Sequence, residues 1–328
     1  MSISQQHSDD QFDVPGPVSD NFLREALRQA NISALRIALY HETKDPSLAA
    51  MQANEYPIRG GQLTVFSVPR EHNEEIREKA FQYLKSGAAP KPVPTREEAS
   101  KLMEMYTGKP LSKVEIDYGY EELAFEEIPR NAEWSVKPPK SELDDFFVTI
   151  VGAGLSGIAA AIQLDRLGIK YRIIERHPDL GGTWLINNYP EARVDVSTFV
   201  YQFKFEKNYP WTSYYAPRDD LQKYANHIVD KYDVRRKMTF STKLDSATWN
   251  DATKVWDICV EGPHGSKERL ESNVIISASG LFNTPLRPDI PGIDSFKGKM
   301  FHTTQWDHSF DYSGKKVALI GTGSTGCQ

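Results

Sequence analysis

The sequence predicts an α/β fold: a Rossmann-type domain that begins near residue 145, preceded by a small, mostly helical N-terminal domain. Three observations carry this. An apolar, β-branched run from Phe146 to Val151 feeds directly into a glycine-rich turn. That turn opens a helix-like segment through Ile158, Ala161 and Ile162 to Gly168, and a second apolar run follows from Tyr171 to Ile174. Strand, tight turn, helix and strand in about thirty residues is the length of one βαβ unit.

The chain has 328 residues, enough for two domains with buried cores. Its 26% charged and 39% hydrophobic composition is that of a soluble globular protein. A net charge of −6 offers no basic footprint for nucleic acid. Cys259 and Cys327 are the two cysteines, which excludes a disulfide framework and suits a reducing compartment. The first residues are polar and acidic rather than signal-like, no apolar run is long enough to span a bilayer, and the expected compartment is the cytoplasm. No metal-ligand spacing is present.

Residues 1–20 read as a disordered tail and 21–140 as a helical extension. Ser19 or Asp20 caps a helix with Phe22, Leu23, Ala26, Leu27 and Ala30 on one face. Ser33 begins a second through Leu35, Ile37, Ala38 and Leu39. A third, from about Glu71, carries Ile76, Ala80, Tyr83 and Leu84 and stops at Gly87. After a proline-rich connector, Thr95 and Glu98 form a capping-box pattern that opens a helix through Leu102, Met103 and Tyr106 to Gly108. Residues 112–145 are acidic and poorly periodic, with Pro138 and Pro139 marking a boundary near 140. This extension carries no nucleophile motif and no glycine-rich loop. Packing or oligomerisation is its expected role.

The turn after Val151 reads Gly152-Ala153-Gly154-Leu155-Ser156-Gly157, a G-x-G-x-x-G. The pattern is weak alone and strong between a strand and a helix. Gly152 permits the sharp turn, Gly154 lets the backbone approach a pyrophosphate, and Gly157 lets the helix pack on the strand. The amide groups of Leu155 and Ser156 belong to the helix end that faces the phosphates. Glu175, at the end of the next strand, suits the hydroxyls of an unphosphorylated ribose, as in NAD or FAD.

Gly181-Gly182-Thr183-Trp184, Tyr189-Pro190 and Asp195 follow, and Phe296-x-Gly298-x-x-x-His302-x-x-x-Trp306-Asp307 comes later. With these, residues 145–328 resemble the Baeyer–Villiger branch of the flavin-dependent monooxygenases. Glu191 departs from the glycine usual in that block, a departure expected to be minor. Ile275 to Gly280 resembles the family's apolar strand and small-residue turn beside the flavin. The helical extension is similar, in general pattern and length, to that of the 4-hydroxyacetophenone monooxygenase group.

Lys316 to Ile320 reads as a further strand. It feeds a second G-x-G-x-x-G, Gly321-Thr322-Gly323-Ser324-Thr325-Gly326, which in the resembling family binds NADPH. Only Cys327 and Gln328 follow, too few for the helix the motif needs, so the expectation is a truncated form of a longer enzyme. The organisation expected is an FAD-binding Rossmann-type domain over 141–295, then a fingerprint linker and an incomplete start of an NADP-binding domain over 296–328. The family's catalytic arginine lies downstream of the second motif, and no position here inherits it.

The resemblance implies FAD and NADPH as cofactors, and a ketone and O2 as substrates. One oxygen atom is inserted beside the carbonyl to give an ester or lactone, with aryl ketones the class the extension points to. Asp195 is then the catalytic candidate, a carboxylate that positions the downstream arginine beside the flavin. Gly182, Thr183, Trp184 and Tyr201 are candidates for the flavin region. His302 is expected to fix the linker rather than to transfer protons, Cys259 to be a buried small residue, and Arg235-Arg236-Lys237 to be a solvated turn. The chain alone is expected to be inactive. Two alternatives stay open, an N- or S-oxygenating flavin monooxygenase and a non-catalytic flavin-fold fragment. The oligomeric state is open too, with a homodimer through the extension as the candidate.

Overall fold

The computed structural model describes residues 18–61, 63–125, 132–282 and 284–328. Most of the expected N-terminal tail lies outside them. The chain forms two compact units that meet in sequence near residue 130, ten residues before the boundary that the proline pair marks.

The first unit runs α1 (Asp20–Gln29), α2 (Ile32–Thr43), α3 (Pro46–Ala50), β1 (Asn54–Ile58), β2 (Leu63–Ser67), α4 (Asn73–Ser86), α5 (Arg96–Thr107) and α6 (Lys113–Leu123). Ser19 caps α1 through the Phe22 amide, and Gly87 closes α4 in the left-handed region, as the sequence predicts. The Thr95–Glu98 capping box forms at the head of α5 with both of its hydrogen bonds. Three points differ. Asn31, not Ser33, caps α2, and the Ser33 hydroxyl instead turns inward to the Phe66 carbonyl. The unit holds an antiparallel hairpin, β1–β2, in addition to its helices. The stretch after Leu111, expected to be aperiodic, forms α6 behind a second capping box, Ser112–Glu115.

Leu27, Leu39, Leu48, Ile76 and Phe81 lie at the centre of this unit's core. Arg36 is buried beside it, and its guanidinium donates to the Met51 and Met105 carbonyls, tying the end of α3 to α5. Burial lowers its pKa.

The second unit opens with α7 (Lys140–Asp144) and then builds the expected βαβ unit from β3 (Phe147–Val151), α8 (Leu155–Leu167) and β4 (Lys170–Ile174). The chain continues through α9 (Thr183–Ile186), α10 (Arg218–Lys231) and β5 (Met238–Thr239). An antiparallel sheet of β6 (Lys243–Asn250), β7 (Val255–Glu261) and β8 (Lys267–Ser272) is inserted before β9 (Val274–Ser277) rejoins the first sheet. The order of that first sheet is β5-β4-β3-β9, all parallel. Ile150, Ile158, Ile162, Ile173, Ile228 and Val229 fill the space between strands and helices, which is why β3 reads as an apolar run, while β4 carries Arg172 over the Phe147 ring at 4.4 Å. Cys259 on β7 is half-buried rather than buried.

The expected strand over 316–320 does not form. Val317, Leu319 and Ile320 are exposed, and no strand pairs with them among the described residues. A parallel strand gains its stability from neighbours on both sides, and an isolated apolar run has none. The second glycine motif nonetheless starts one helical turn, α11 (Ser324–Cys327). Among the described residues no helix is long and apolar enough to cross a membrane, and no group of three or more His, Cys, Asp or Glu could hold a metal ion.

Candidate dinucleotide site

The carboxyl ends of parallel strands are where an open α/β sheet offers a crevice. Here the ends of β3, β4 and β9, with the start of β6, surround a cleft of about 470 Å³. The turn Gly152 to Ser156 forms its floor. Gly152 has φ +109°, and a Cβ on Gly157 would lie 2.0 Å from the Gly152 carbonyl oxygen. Only glycines close this turn. No side chain caps α8 at Gly154, so the amides of its first turn face the cleft.

Glu175 stands at one end, 6% exposed. Its carboxylate accepts the Ala153 amide on one oxygen and the His177 amide on the other, each at 2.8 Å. It therefore fastens the glycine turn to the end of β4. A carboxylate oxygen has two acceptor positions, so each keeps one for a ligand.

Gly182, Thr183 and Trp184 also line the cleft. The Gly181 amide donates to the Ala153 carbonyl at 3.0 Å, and a Cβ on Gly182 would come within 3.0 Å of the Gly154 Cα, so this segment packs backbone on backbone against the glycine turn. Trp184 is buried; its indole N–H donates to the Tyr201 hydroxyl at 3.2 Å, and the two rings meet edge to face at 5.7 Å. Tyr201 also lines the cleft.

Sequence reasoning missed Arg176, Thr242, Lys243, Leu244 and Phe282, which complete the walls. The signal was available in their position, because Arg176 follows β4 and Thr242 follows β5. Gly157 lies behind the turn, and Asp195 lies outside the cleft. The Asp195 carboxylate instead accepts the Ser324 hydroxyl at 2.6 Å.

The second motif, residues 321–326, does not line the cleft, yet its turn repeats the first. Gly321 has φ +128°, and a Cβ on Gly326 would lie 2.7 Å from the Gly321 carbonyl oxygen and 3.7 Å from Leu319. The first turn has the same relations among Gly152, Gly157 and Ile150. The cap residues match too: Gly154 has φ −78° and ψ −177°, and Gly323 has φ −77° and ψ 179°.

The flavin-binding monooxygenase-like family model matches residues 146–328. The chain belongs to this family. A Baeyer–Villiger monooxygenase from Streptomyces coelicolor is 36% identical over 182 residues, 55% of this chain and 34% of that protein. An uncharacterized monooxygenase from Sinorhizobium fredii is 29% identical over 317 residues, 93% of this chain and 46% of its own length. Among solved structures, OTEMO in complex with FAD and NADP is 32% identical over 56% of this chain and 36% of that one, with a TM-score of 0.51. The chain spans about a third of the length of the Baeyer–Villiger relatives it matches.

In this flavin-binding monooxygenase-like chain the fingerprint residues fasten the segment after β9. His302 takes the Thr304 amide on Nδ1 at 3.2 Å and so caps a short turn. Trp306 meets the Phe301 ring at 5.1 Å and the Tyr312 ring at 6.0 Å. Asp307 pairs with Lys299 at 2.6 Å and accepts from Ser309, and these hold its carboxyl down to about 2. Arg235, Arg236 and Lys237 form the turn that the sequence predicts, each paired with an aspartate, but Lys237 is half-buried over the Tyr171 ring rather than solvated.

Proposed function

We propose that the second unit binds FAD and serves a Baeyer–Villiger monooxygenase, which uses NADPH and O2 to convert a ketone into an ester or lactone. One observation carries the reading: a glycine turn and an acidic residue at the carboxyl ends of two parallel strands frame a cleft whose lining also includes Trp184, Tyr201 and Phe282. The residues fit the cofactor. Gly154 and Gly182 pack backbone on backbone beside the cleft, and a side chain on Gly182 would press on Gly154 and crowd the place of the diphosphate. The cleft also falls in the range of about 300–1,000 Å³ usual for small-molecule sites.

In this reading the amides of Leu155 and Ser156 donate to the diphosphate, and the dipole of α8 favours its charge. Glu175 takes the ribose hydroxyls through its remaining acceptor positions. Arg176 and Lys243 add positive charge at that end. Thr183, Trp184 and Tyr201 hold the ring system, and their packing keeps water from its face. FAD, when bound, supplies the redox chemistry, and the protein supplies position and field. The second turn, residues 321–326, is assigned to NADPH on the strength of its shared backbone form. Asp195, beside that turn and outside the cleft, is assigned to position the arginine that the resembling family carries beyond the second motif. Aryl ketones are the assigned substrate class, supported by the similarity of the helical extension.

The test is turnover by the whole protein. Supplied with FAD, NADPH, O2 and an aryl methyl ketone, it should yield the ester, one oxygen atom heavier by mass spectrometry, and Asp195→Ala should lower kcat by at least about tenfold. Oxidation of an amine or sulfide with no ester from any ketone would contradict the assignment.

The same proposal includes a homodimer through the first unit. One face of its hairpin pairs Tyr56 with Val65 and Ile58 with Leu63, and all four side chains are exposed. A two-stranded hairpin with a bare apolar face is marginal in water, and a second copy would cover it.

A further inference from the structure

The second glycine turn has little of its own to hold it. The run before it, Val317 to Ile320, is exposed and unpaired with any strand among the described residues. Every side-chain hydrogen bond found for residues 321–328 runs instead to one segment, 189–195. Ser324 Oγ donates to Asp195 at 2.6 Å. The Tyr189 hydroxyl donates to Gln328 Oε1 at 2.9 Å and lies 3.3 Å from Thr325 Oγ1. The Gln328 side chain also closes on Arg193, accepting its amide at 3.2 Å and donating to its carbonyl at 3.1 Å.

That segment is tied to the cleft wall by Val194, which packs in one buried cluster with Trp184, and by the hydrogen bonds of Arg218. The Arg218 guanidinium donates to the Trp184 carbonyl at 2.6 Å and to the Leu185 carbonyl at 3.2 Å. Its backbone amide donates to the Ala192 carbonyl at 2.7 Å, and Val194 pairs with Ala216 beside it. Trp184 is a wall of the first cleft, and Ala192 lies between Tyr189 and Asp195. The wall and the segment therefore share a rigid partner at the first residue of α10.

We propose that Tyr189 and Asp195 are positioning residues that clamp the second glycine turn, and that Arg218 links this clamp to the wall of the first cleft, so that a ligand in the cleft steadies the turn. The link rests on the reading of that cleft as the FAD site; the clamp does not. A ligand that orders the wall lowers the cost of ordering whatever the wall holds, which is a coupling between two sites.

Amide exchange followed by mass spectrometry separates the two parts. Gly326, Cys327 and Gln328 donate their amides to the Gly323 and Ser324 carbonyls, so their exchange reports opening of the turn. Without FAD, Tyr189→Phe and Asp195→Ala should each speed exchange over 321–328 by about fivefold, the worth of one net hydrogen bond. Asp195→Asn keeps an acceptor oxygen and should restore the slow rate. All three variants should melt within about 2 °C of the parent chain. Unchanged exchange in Tyr189→Phe and Asp195→Ala, or no rescue by Asp195→Asn, overturns the clamp. With saturating FAD, exchange over 321–328 should slow by about threefold or more in the parent chain and by less in Arg218→Ala, and equal slowing in the two overturns the part given to Arg218. FAD bound with no slowing overturns the link. FAD that does not bind sinks the FAD reading and the link with it, and the ligand-free arm still decides the clamp.

Discussion

At Gly157 a single hydrogen in place of a side chain decides whether the first turn exists. An added Cβ would strike the Gly152 carbonyl, which is backbone and cannot rotate away. Gly157→Ala should therefore cost about 2–3 kcal/mol in urea unfolding, as overpacking against fixed atoms does. Glu191 shows the opposite case. It adopts φ +64°, in the left-handed region, at the place where the resembling family has glycine. That conformation costs a side-chain-bearing residue about 1 kcal/mol. Its exposed pair with Arg193 at 2.6 Å returns little. Glu191→Gly should raise stability by about 0.5 kcal/mol. A loss instead would show that the pair matters more than the strain. The departure was legible in the sequence; its backbone cost was not, because only the fold shows which way the chain turns there.

Among the elements, those with local signals were the ones the sequence revealed. The caps of α1 and α5, the stop of α4 and the β3–α8–β4 unit each rest on contacts within a few residues. The capping box of α6 was present as Ser112–Glu115 but hidden in an acidic stretch of weak periodicity. The β1–β2 hairpin was missed although Gly60 and Gly61 offer a turn signal, because apolar residues of both strands face solvent and give no buried-face pattern. Residues 316–320 erred the other way, since an apolar run becomes a strand only beside another strand. One element carries a pH dependence. Asp45 caps α3 and pairs with Lys79 of α4 at 2.7 Å, and these partners hold its carboxyl down to about 2. Its folded pKa lies below its unfolded value, so the stabilisation is whole above about pH 4 and is lost as pH falls toward 2. Asp45→Asn should remove that part of the acid sensitivity of the first unit, followed by circular dichroism. An unchanged acid profile would rule Asp45 out as a source.

On the scale of the whole molecule, two units with separate cores divide the work, one proposed to join copies and one to hold FAD. The bare hairpin face gives the first claim a direct check: Val65→Arg should convert a dimer to a monomer in light scattering, and a parent chain that is already monomeric would refute it. The general address of the second site was legible from Gly152 to Glu175, because a nucleotide turn needs particular residues at particular spacings. Lys243 and Phe282 were not, since they reach the cleft from segments far along the chain. The central claim is that this cleft holds FAD, and titration of the chain with FAD, followed by flavin fluorescence, tests it most directly. Saturation at about one FAD per chain, abolished in Gly154→Val, is what a turn whose bare backbone must approach both the diphosphate and Gly182 predicts. No saturation in the parent chain, or equal binding by Gly154→Val, would contradict it.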